Sequence, residues 1–219
     1  YLKAPWDTPF GKLDTQPRAF HSTPGSSRDV PTMQRTGTLG HAVDDGFTLV
    51  TLNYMGGGLQ FVIALPNEGQ TVDAAAARLT PEHFARWANL SDYGRKNVTL
   101  FLPKFRMEGA TVPLKVMLRT LGVTRAFDVP SGSANFNGIA PLGPGGYLAI
   151  SEVFHQTFVA LDEEGTEAAA ATAVITITPS APSAPLPPIE VRVERPFFFA
   201  IRHRASGAYL FFGRVMDPR

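Results

Sequence analysis

Cysteine is absent from the 219-residue sequence. This absence excludes thiol nucleophiles, cysteine-based zinc sites and disulfide bonds. An excess of one charge is also missing, because 20 Lys and Arg stand against 19 Asp and Glu. The balance lacks the basic surplus typical of nucleic-acid binding, so we expect no nucleic-acid partner. No apolar run reaches the ~18 residues of a transmembrane helix, so we expect no membrane partner.

The short motifs of common enzyme classes are missing as well. The glycine triplet at 56–58 is not followed by the Lys-Ser/Thr pair of a phosphate-binding loop. No Gly-x-Ser-x-Gly or His-Glu-x-x-His motif occurs, and the five histidines lie far apart in the sequence. The sequence therefore predicts no enzyme, no metal site and no cofactor.

Apolar residues make up 44% of the chain and charged residues 18%, which is enough for a sizeable core. Strand-like runs are predicted at residues 48–54, 59–65, 98–105, 148–161, 189–193, 197–203 and 209–215. The runs at 197–201 and 209–212 do not alternate, which predicts strands buried on both faces. Pro103 predicts an edge or a bulge in its run.

Helical patterns are fewer and shorter. Residues 71–90 read as two helical pieces, the second capped by Thr80 with Pro81 at its first position. Residues 113–121 read as a short helix that ends at Gly122. Residues 11–36 are turn-rich and predict a loop with short extended pieces. Because strands outnumber helices, the predicted fold class is α+β, mixed and dominated by β-structure.

The segment 162–178 allows two interpretations. Alanine and glutamate favour a short alanine-rich helix behind the acidic start of the segment. Against a fixed helix, Gly165 permits an unusual backbone angle, and residues 172–178 are rich in β-branched side chains. In extended form this segment is small enough to enter a sheet, which would pair its backbone donors and acceptors. Residues 179–188 carry five prolines and must be extended and exposed.

The stretch from Glu163 to Thr172 resembles the reactive-loop hinge of serpins, the serine protease inhibitor superfamily. Ordered matches to the family's motifs run through the whole chain. They are Tyr1-Leu2-Lys3-Ala4-Pro5-Trp6, Val30-Pro31-Thr32-Met33, Leu102-Pro103-Lys104-Phe105, Leu121-Gly122-Val123 with Ala126-Phe127, Phe136-Asn137-Gly138-Ile139, Ile150-Ser151-Glu152-Val153 with His155, Arg195-Pro196-Phe197-Phe198-Phe199, and Leu210 to Pro218. Glu194 and Gln156 depart from the family's usual residues.

This resemblance implies the C-terminal portion of a serpin fold, with parts of three sheets, short helices and an exposed reactive loop at 164–188. Residues 1–219 then form a single domain truncated at its start, whose missing N-terminal half is an expected partner. The implied function is inhibition of serine-type endopeptidases by a suicide-substrate mechanism, in which the cleaved loop inserts into the main sheet. A non-inhibitory serpin, acting as a binding or chaperone-like module, is the alternative. An extracellular location is a family tendency.

The resemblance also assigns residues to roles. The implied hinge comprises Glu163, Glu164, Gly165, Thr166, Glu167, Ala168, Ala169, Ala170, Ala171 and Thr172. The candidates for the cleaved bond are Ile177, Thr178, Pro179 and Ser180. No Lys or Arg lies between Thr166 and Glu190, so we expect an elastase-like or subtilisin-like target protease rather than a trypsin-like one.

Three more positions match mechanical sites of the family. Trp6 matches the tryptophan of the breach, near the top of the main sheet, although an aromatic residue there would be core in any case. His155 matches the histidine of the shutter, where the sheet opens. Lys104 and Glu163 match a pair that connects the hinge to neighbouring structure.

Overall fold

A computed structural model describes residues 2–23, 25–143, 146–166 and 187–218, with all of their side chains except those of residues 89–93. The α-helices are α1 (Val72–Ala76), α2 (Pro81–Tyr93) and α3 (Lys115–Thr120), and short 3-10 helices span Lys12–Asp14 and Arg125–Phe127. The strands are β1 (Ala4–Pro5), β2 (Gln16–Thr23), β3 (Ser26–Asp44), β4 (Phe47–Asn53), β5 (Leu59–Pro66), β6 (Arg95–Pro103), β7 (Phe105–Glu108), β8 (Val112–Pro113), β9 (Phe154–His155), β10 (Phe158–Leu161), β11 (Gly165–Thr166), β12 (Ile189–Arg192), β13 (Phe197–His203) and β14 (Tyr209–Val215). Strands therefore dominate, as the sequence predicts.

The described chain divides into two compact units. Residues 107–158 form the smaller unit, which contains α3 and the two-stranded sheet of β8 and β9. Residues 2–106 and 159–218 lie in the larger unit. Its eight-stranded sheet has the order β12-β6-β3-β4-β5-β13-β14, with β2 paired to β3. A second sheet has the order β1-β11-β10-β7.

The core of the larger unit forms where α1 and α2 cover the eight-stranded sheet. Phe47, Trp87 and Phe198 are each at most 2% exposed. The ring of Phe47 meets that of Trp87 edge-on at 5.1 Å and that of Phe198 at 6.2 Å. Apolar residues of α1, such as Val72, join the same cluster. The short helices are therefore held by the sheet they cover, since isolated helices of this length are marginal.

The prediction of a loop at residues 11–36 is wrong. This region holds β2 and the first part of β3, paired around a turn at Gly25. Pro17 and Pro31 lie opposite each other in that pair. Proline suits this place because β3 is the only described strand that pairs with β2, so the other side of β2 carries no continuous ladder, although His21 donates to the Glu194 carbonyl at 2.8 Å. The turn-forming residues of this region therefore lie in a long hairpin, which their composition does not predict.

The run at residues 98–105 forms two strands rather than one. β6 ends at Pro103 and β7 begins at Phe105, and the two strands belong to different sheets. The expected edge position is also wrong, because β6 lies between β12 and β3. Pro103 is the last residue of β6, where the chain leaves that sheet.

Two further strand predictions need correction. Residues 148–161 form only β9 and β10, and none of residues 148–157 is buried, so no apolar face holds a long strand there. β14 is not buried on both faces, because half-buried and exposed residues alternate along it as far as the buried Val215, as suits the last strand of its sheet. β13, by contrast, is buried on both faces as predicted, since it lies between β5 and β14.

Truncation of Phe47 to alanine should lower the free energy of unfolding by about 3–5 kcal/mol, because it opens a cavity among fully buried rings. Urea unfolding followed by circular dichroism measures this loss. The matched control is Phe154→Ala, at a phenylalanine that is 69% exposed, with an expected change within about 0.5 kcal/mol. Equal losses in the two variants would contradict the placement of the core.

Candidate functional site

A tight turn at residues 162–165 sends the chain back beside β10. The Asp162 carboxylate accepts hydrogen bonds from the backbone N–H of Glu164 at 2.8 Å and of Gly165 at 3.1 Å. The backbone N–H of Asp162 also donates to the Gly165 carbonyl at 3.0 Å. Because aspartate readily bonds to backbone groups just after it, this residue suits the start of a turn. The turn places β11 antiparallel to β10.

β11 lies between β10 and β1. Leu161 and Ala4 are both partners of Thr166, one on each side, and both pairings are antiparallel. The backbone N–H of Trp6 adds a hydrogen bond of 2.8 Å to the Glu164 carbonyl. The two residues of β11, Gly165 and Thr166, therefore occupy a central position in this sheet.

Gly165 is required by its closeness to β1. A Cβ atom at this position would lie 2.2 Å from the Ala4 carbonyl oxygen and 2.7 Å from the Cα of Pro5. Both obstacles are backbone atoms, so they cannot move aside as a flexible side chain would. Any larger residue here would push β11 away from β1.

Thr166 is the first hinge side chain that points into the core. It is 1% exposed, and its hydroxyl lies 2.5 Å from the hydroxyl of Tyr54. Burial raises the pKa of Tyr54 well above its ordinary value, so its phenol stays protonated. The two hydroxyls satisfy each other, which removes the cost of burying either one alone.

The side chain of Trp6 packs against Tyr54, the partner of Thr166. Its ring stacks on that of Tyr54 at 4.6 Å and meets Phe61 edge-on at 5.7 Å. Its indole N–H donates to the Asp162 carbonyl at 2.9 Å. Trp6 is 1% exposed, so one side chain links the core to the turn that begins the hinge.

Glu163 is 7% exposed, and its carboxylate is held on both oxygens. Lys104 Nζ lies 2.8 Å from one oxygen, and the Thr15 hydroxyl donates to the other at 2.7 Å. Burial by itself would raise the pKa of Glu163, but the hydrogen bonds from Lys104 and Thr15 outweigh it and lower the pKa below its ordinary value. The structure thus brings together the two residues that the family resemblance pairs.

A second ion pair lies beside the first, with Lys12 exposed and Glu164 half-buried. Lys12 Nζ is 2.7 Å from the Glu164 carboxylate. The hydrogen bond and charge of Glu164 raise the pKa of Lys12. Lys12 and Thr15 lie at the two ends of the 3-10 helix segment, so this short stretch contacts both carboxylates that precede Gly165.

The other predicted hinge and cleavage residues lie outside the described residues. They are Glu167, Ala168, Ala169, Ala170, Ala171, Thr172, Ile177, Thr178, Pro179 and Ser180. Of the predicted loop 164–188, the structure describes residues 164–166 and 187–188. The position of the cleaved bond stays a prediction.

His155 belongs to the smaller unit. It is exposed in β9, where it pairs with Val112 of β8. No described side chain is hydrogen-bonded to its ring. Its proposed mechanical role stays a prediction.

Sequence reasoning misses four contributors to the site: Tyr54, Asp162, Thr15 and Lys12. In the sequence, Tyr54 is only the end of a strand-like run and Asp162 only follows one, while Lys12 and Thr15 lie in a region whose composition predicts a loop. Only the three-dimensional pairing reveals their contacts. Within the ranges that the structure describes, no cluster of His, Asp and Glu could hold a metal ion. No helix in the same ranges is long and apolar enough to cross a membrane.

Comparisons with known proteins agree with this geometry. The family model for serpins, the serine protease inhibitors, matches residues 1–218. The chain is 37% identical to a serpin-like protein of Thermococcus kodakarensis, covering 100% of this chain and 48% of the relative. It is 33% identical to human Serpin B4, covering 100% of this chain and 54% of the relative. The chain therefore belongs to the serpin family and spans about half the length of the curated relatives it matches.

Solved structures show the same fold. A serpin from the trematode Schistosoma haematobium superimposes with a TM-score of 0.81 at 24% identity, covering 100% of this chain and 55% of that one. The thermophilic serpin tengpin superimposes with a TM-score of 0.75 at 30% identity, covering 97% of this chain and 52% of that one. The expected serpin fold is thus confirmed.

Substitution of Gly165 by alanine should displace β11, because the added Cβ meets the backbone of β1. We expect a loss of about 1–3 kcal/mol in the free energy of unfolding. Faster amide exchange at Thr166, measured by hydrogen–deuterium exchange, should accompany it. Gly138→Ala is the matched control, because nothing lies within 4 Å of its added Cβ. Unchanged exchange at Thr166 in Gly165→Ala would contradict the close approach.

The ion pair at Glu163 should make the hinge sensitive to acid. Because its pKa is lower in the folded state than in the unfolded state, the stabilisation is present above the unfolded pKa, about 4.3, and is lost as pH falls through the folded pKa. Unfolding free energies measured from pH 7 down to about pH 3 should fall less steeply for Glu163→Gln than for the parent. If the free energies of unfolding of the two proteins fall in parallel with pH, Glu163 does not supply this pH-dependent stabilisation and the prediction is wrong.

Proposed function

We propose that the intact protein inhibits serine-type endopeptidases as a suicide substrate. A protease attacks the loop, forms an acyl-enzyme, and is trapped when the cleaved segment extends β11 between β1 and β10. The protease supplies the nucleophilic serine, and this chain supplies the loop and the sheet that receives it. The observation that carries the proposal is the position of β11, which already lies between the two strands.

The geometry of the hinge supports insertion of the segment that follows Thr166 between β1 and β10. Strand β11 runs antiparallel to both neighbours, so each residue added after Thr166 could form ladder bonds on both sides. The side chains from Ala168 to Ala171 are small, so their entry would demand little space. Insertion would satisfy backbone groups on both sides of the new strand at once.

We infer that the sheet that contains β11 is completed by the other half of the domain. Among the described residues β1 contributes only Ala4 and Pro5, and it is the last strand of its sheet. The Met55 N–H donates to the Pro5 carbonyl at 2.9 Å, but no described strand runs along β1 on that side. We therefore propose that the inhibitory form contains the N-terminal half that the relatives possess. Inhibition should therefore be tested with that full-length protein.

The loop composition supports a target that accepts small or apolar residues. Because residues 167–189 contain no Lys or Arg, a protease pocket built around a buried carboxylate would find no cationic side chain to bind. Incubation with an elastase-like, a subtilisin-like and a trypsin-like protease, read on denaturing gels, tests this preference. We expect a detergent-stable, high-mass complex with one of the first two proteases, and mass spectrometry should locate cleavage between Ile177 and Ala181.

Cleavage without any stable complex would favour the alternative, a non-inhibitory serpin. Complex formation with the trypsin-like protease alone would contradict the proposed specificity.

Replacement of Ala168 by arginine should convert the inhibitor into a substrate. In an extended strand Ala168 shares the face of Thr166, so insertion would have to bury the arginine charge, which slows insertion relative to hydrolysis of the acyl-enzyme. The stoichiometry of inhibition should rise about tenfold or more if the substitution raises the barrier to insertion by at least ~1.4 kcal/mol relative to the barrier to hydrolysis. The control is Thr23→Arg, at an exposed threonine outside the hinge. An unchanged stoichiometry in Ala168→Arg would overturn insertion as the trapping step.

A further inference from the structure

A polar cavity of about 340 Å³ lies in the larger unit along residues 35–40 of β3. These residues pair with β6 on one side of β3. On the other side β2 pairs only as far as Thr32 and β4 only from Gly40, so residues 33–39 have no described strand partner there. No part of the proposed inhibitory mechanism uses this cavity.

The charged residues of this cavity are unbalanced. Three arginines line it, from β3, β6 and the turn after β13: Arg35, Arg95 and Arg204. Asp7 is the single acidic residue among its described lining residues. Since the whole chain carries a formal net charge of only +1, this is a local concentration of positive charge.

Arg35 is held in place without a carboxylate partner. It is half-buried, donates a hydrogen bond to the Thr8 carbonyl, and lies 5.9 Å from the Phe10 ring centroid. No described carboxylate lies within 4 Å of its guanidinium. Burial lowers the pKa of Arg35, the charge of Asp7 partly opposes this, and the charge of Arg95 lowers it further. The fold therefore holds two like charges close enough to repel each other.

Arg95 faces the same cavity and has a similar anchor. One of its terminal nitrogens donates to the Thr38 carbonyl at 3.3 Å, and the structure describes no carboxylate bound to it. A guanidinium has several N–H donors in a planar fork, so a single backbone contact orients Arg35 or Arg95 and leaves other donors for a ligand. Paired forks of this kind match the geometry of phosphate and sulfate groups.

We propose that this cavity binds a compact ligand with at least two phosphate or sulfate groups. Such a ligand would relieve the repulsion between Arg35 and Arg95. The volume lies at the lower end of the range for small-molecule sites, ~300–1,000 Å³, which is more than one inorganic phosphate needs. Thr38 and Asn53 also line the cavity, and their polar side chains suit the polar body of such a ligand.

Isothermal titration of the intact protein at low ionic strength tests the proposal. The probes are inorganic tripolyphosphate and a disulfated disaccharide, and inorganic phosphate serves as the comparison with a single anionic group. We expect saturable binding of one or both multivalent probes, at least tenfold tighter than phosphate. Binding should weaken with added salt, because part of the cavity is open to solvent. Binding of only one probe identifies whether phosphate or sulfate is the preferred group.

The variant Arg95→Gln should weaken binding of that probe about tenfold, because it removes charge-assisted hydrogen bonds. Arg95 is exposed, so this variant should fold, which circular dichroism checks. Arg192→Gln is the matched control, at an exposed arginine that does not line the cavity. Absence of saturable binding, or equal weakening by Arg95→Gln and Arg192→Gln, would overturn the site. Because the assay contains no protease, its outcome is independent of the proposed inhibition.

Discussion

The contact between the backbones of Gly165 and Ala4 determines how the rest of the hinge is arranged. The two strands approach so closely at this point that a single methyl group would not fit. With this approach in place, Thr166 reaches the Tyr54 hydroxyl and the Trp6 backbone reaches the Glu164 carbonyl. Glycine is the residue type that permits the contact, since every other side chain begins with a Cβ.

Different forces act on the two sides of this contact. The aromatic stack of Trp6 and Tyr54 holds the inner side through burial and packing, which depend weakly on pH and salt. Charged groups hold the outer side, where Glu163 is bound by Lys104 and Thr15. An exposed ion pair contributes only ~0–1 kcal/mol, but Glu163 is nearly buried and both of its oxygens are satisfied. The hinge is therefore held in place by contacts of residues that precede Thr166 in the sequence.

Much of this architecture can be predicted from the amino-acid sequence. Runs of β-branched and aromatic residues predict β4, β5 and β13, and Thr80-Pro81 marks the start of α2, because these are local signals. The resemblance to serpins by itself predicts that Lys104 and Glu163 form a pair. Long-range pairing cannot be seen in the same way. Nothing local shows that Pro17 faces Pro31, or that Tyr54, just after β4, meets Thr166.

The errors have a common physical cause. The composition of residues 11–36 predicts a loop because proline and glycine usually interrupt strands, yet an outer strand tolerates proline on its unpaired side. The composition of residues 148–161 predicts one long strand, yet composition does not show whether a partner exists to bury it. In both regions the outcome depends on neighbours that are distant in the sequence.

The facing prolines at positions 17 and 31 have one more consequence. Among the described strands β2 pairs with β3 alone, and on its other side Pro17 has no backbone N–H to offer, while the His21 N–H already donates to the Glu194 carbonyl. An extended segment from a second molecule that approached this strand would find a gap in the row of donors it needs. The hairpin of β2 and β3 is thereby a poor template for the edge-to-edge pairing that starts aggregation in β-rich proteins.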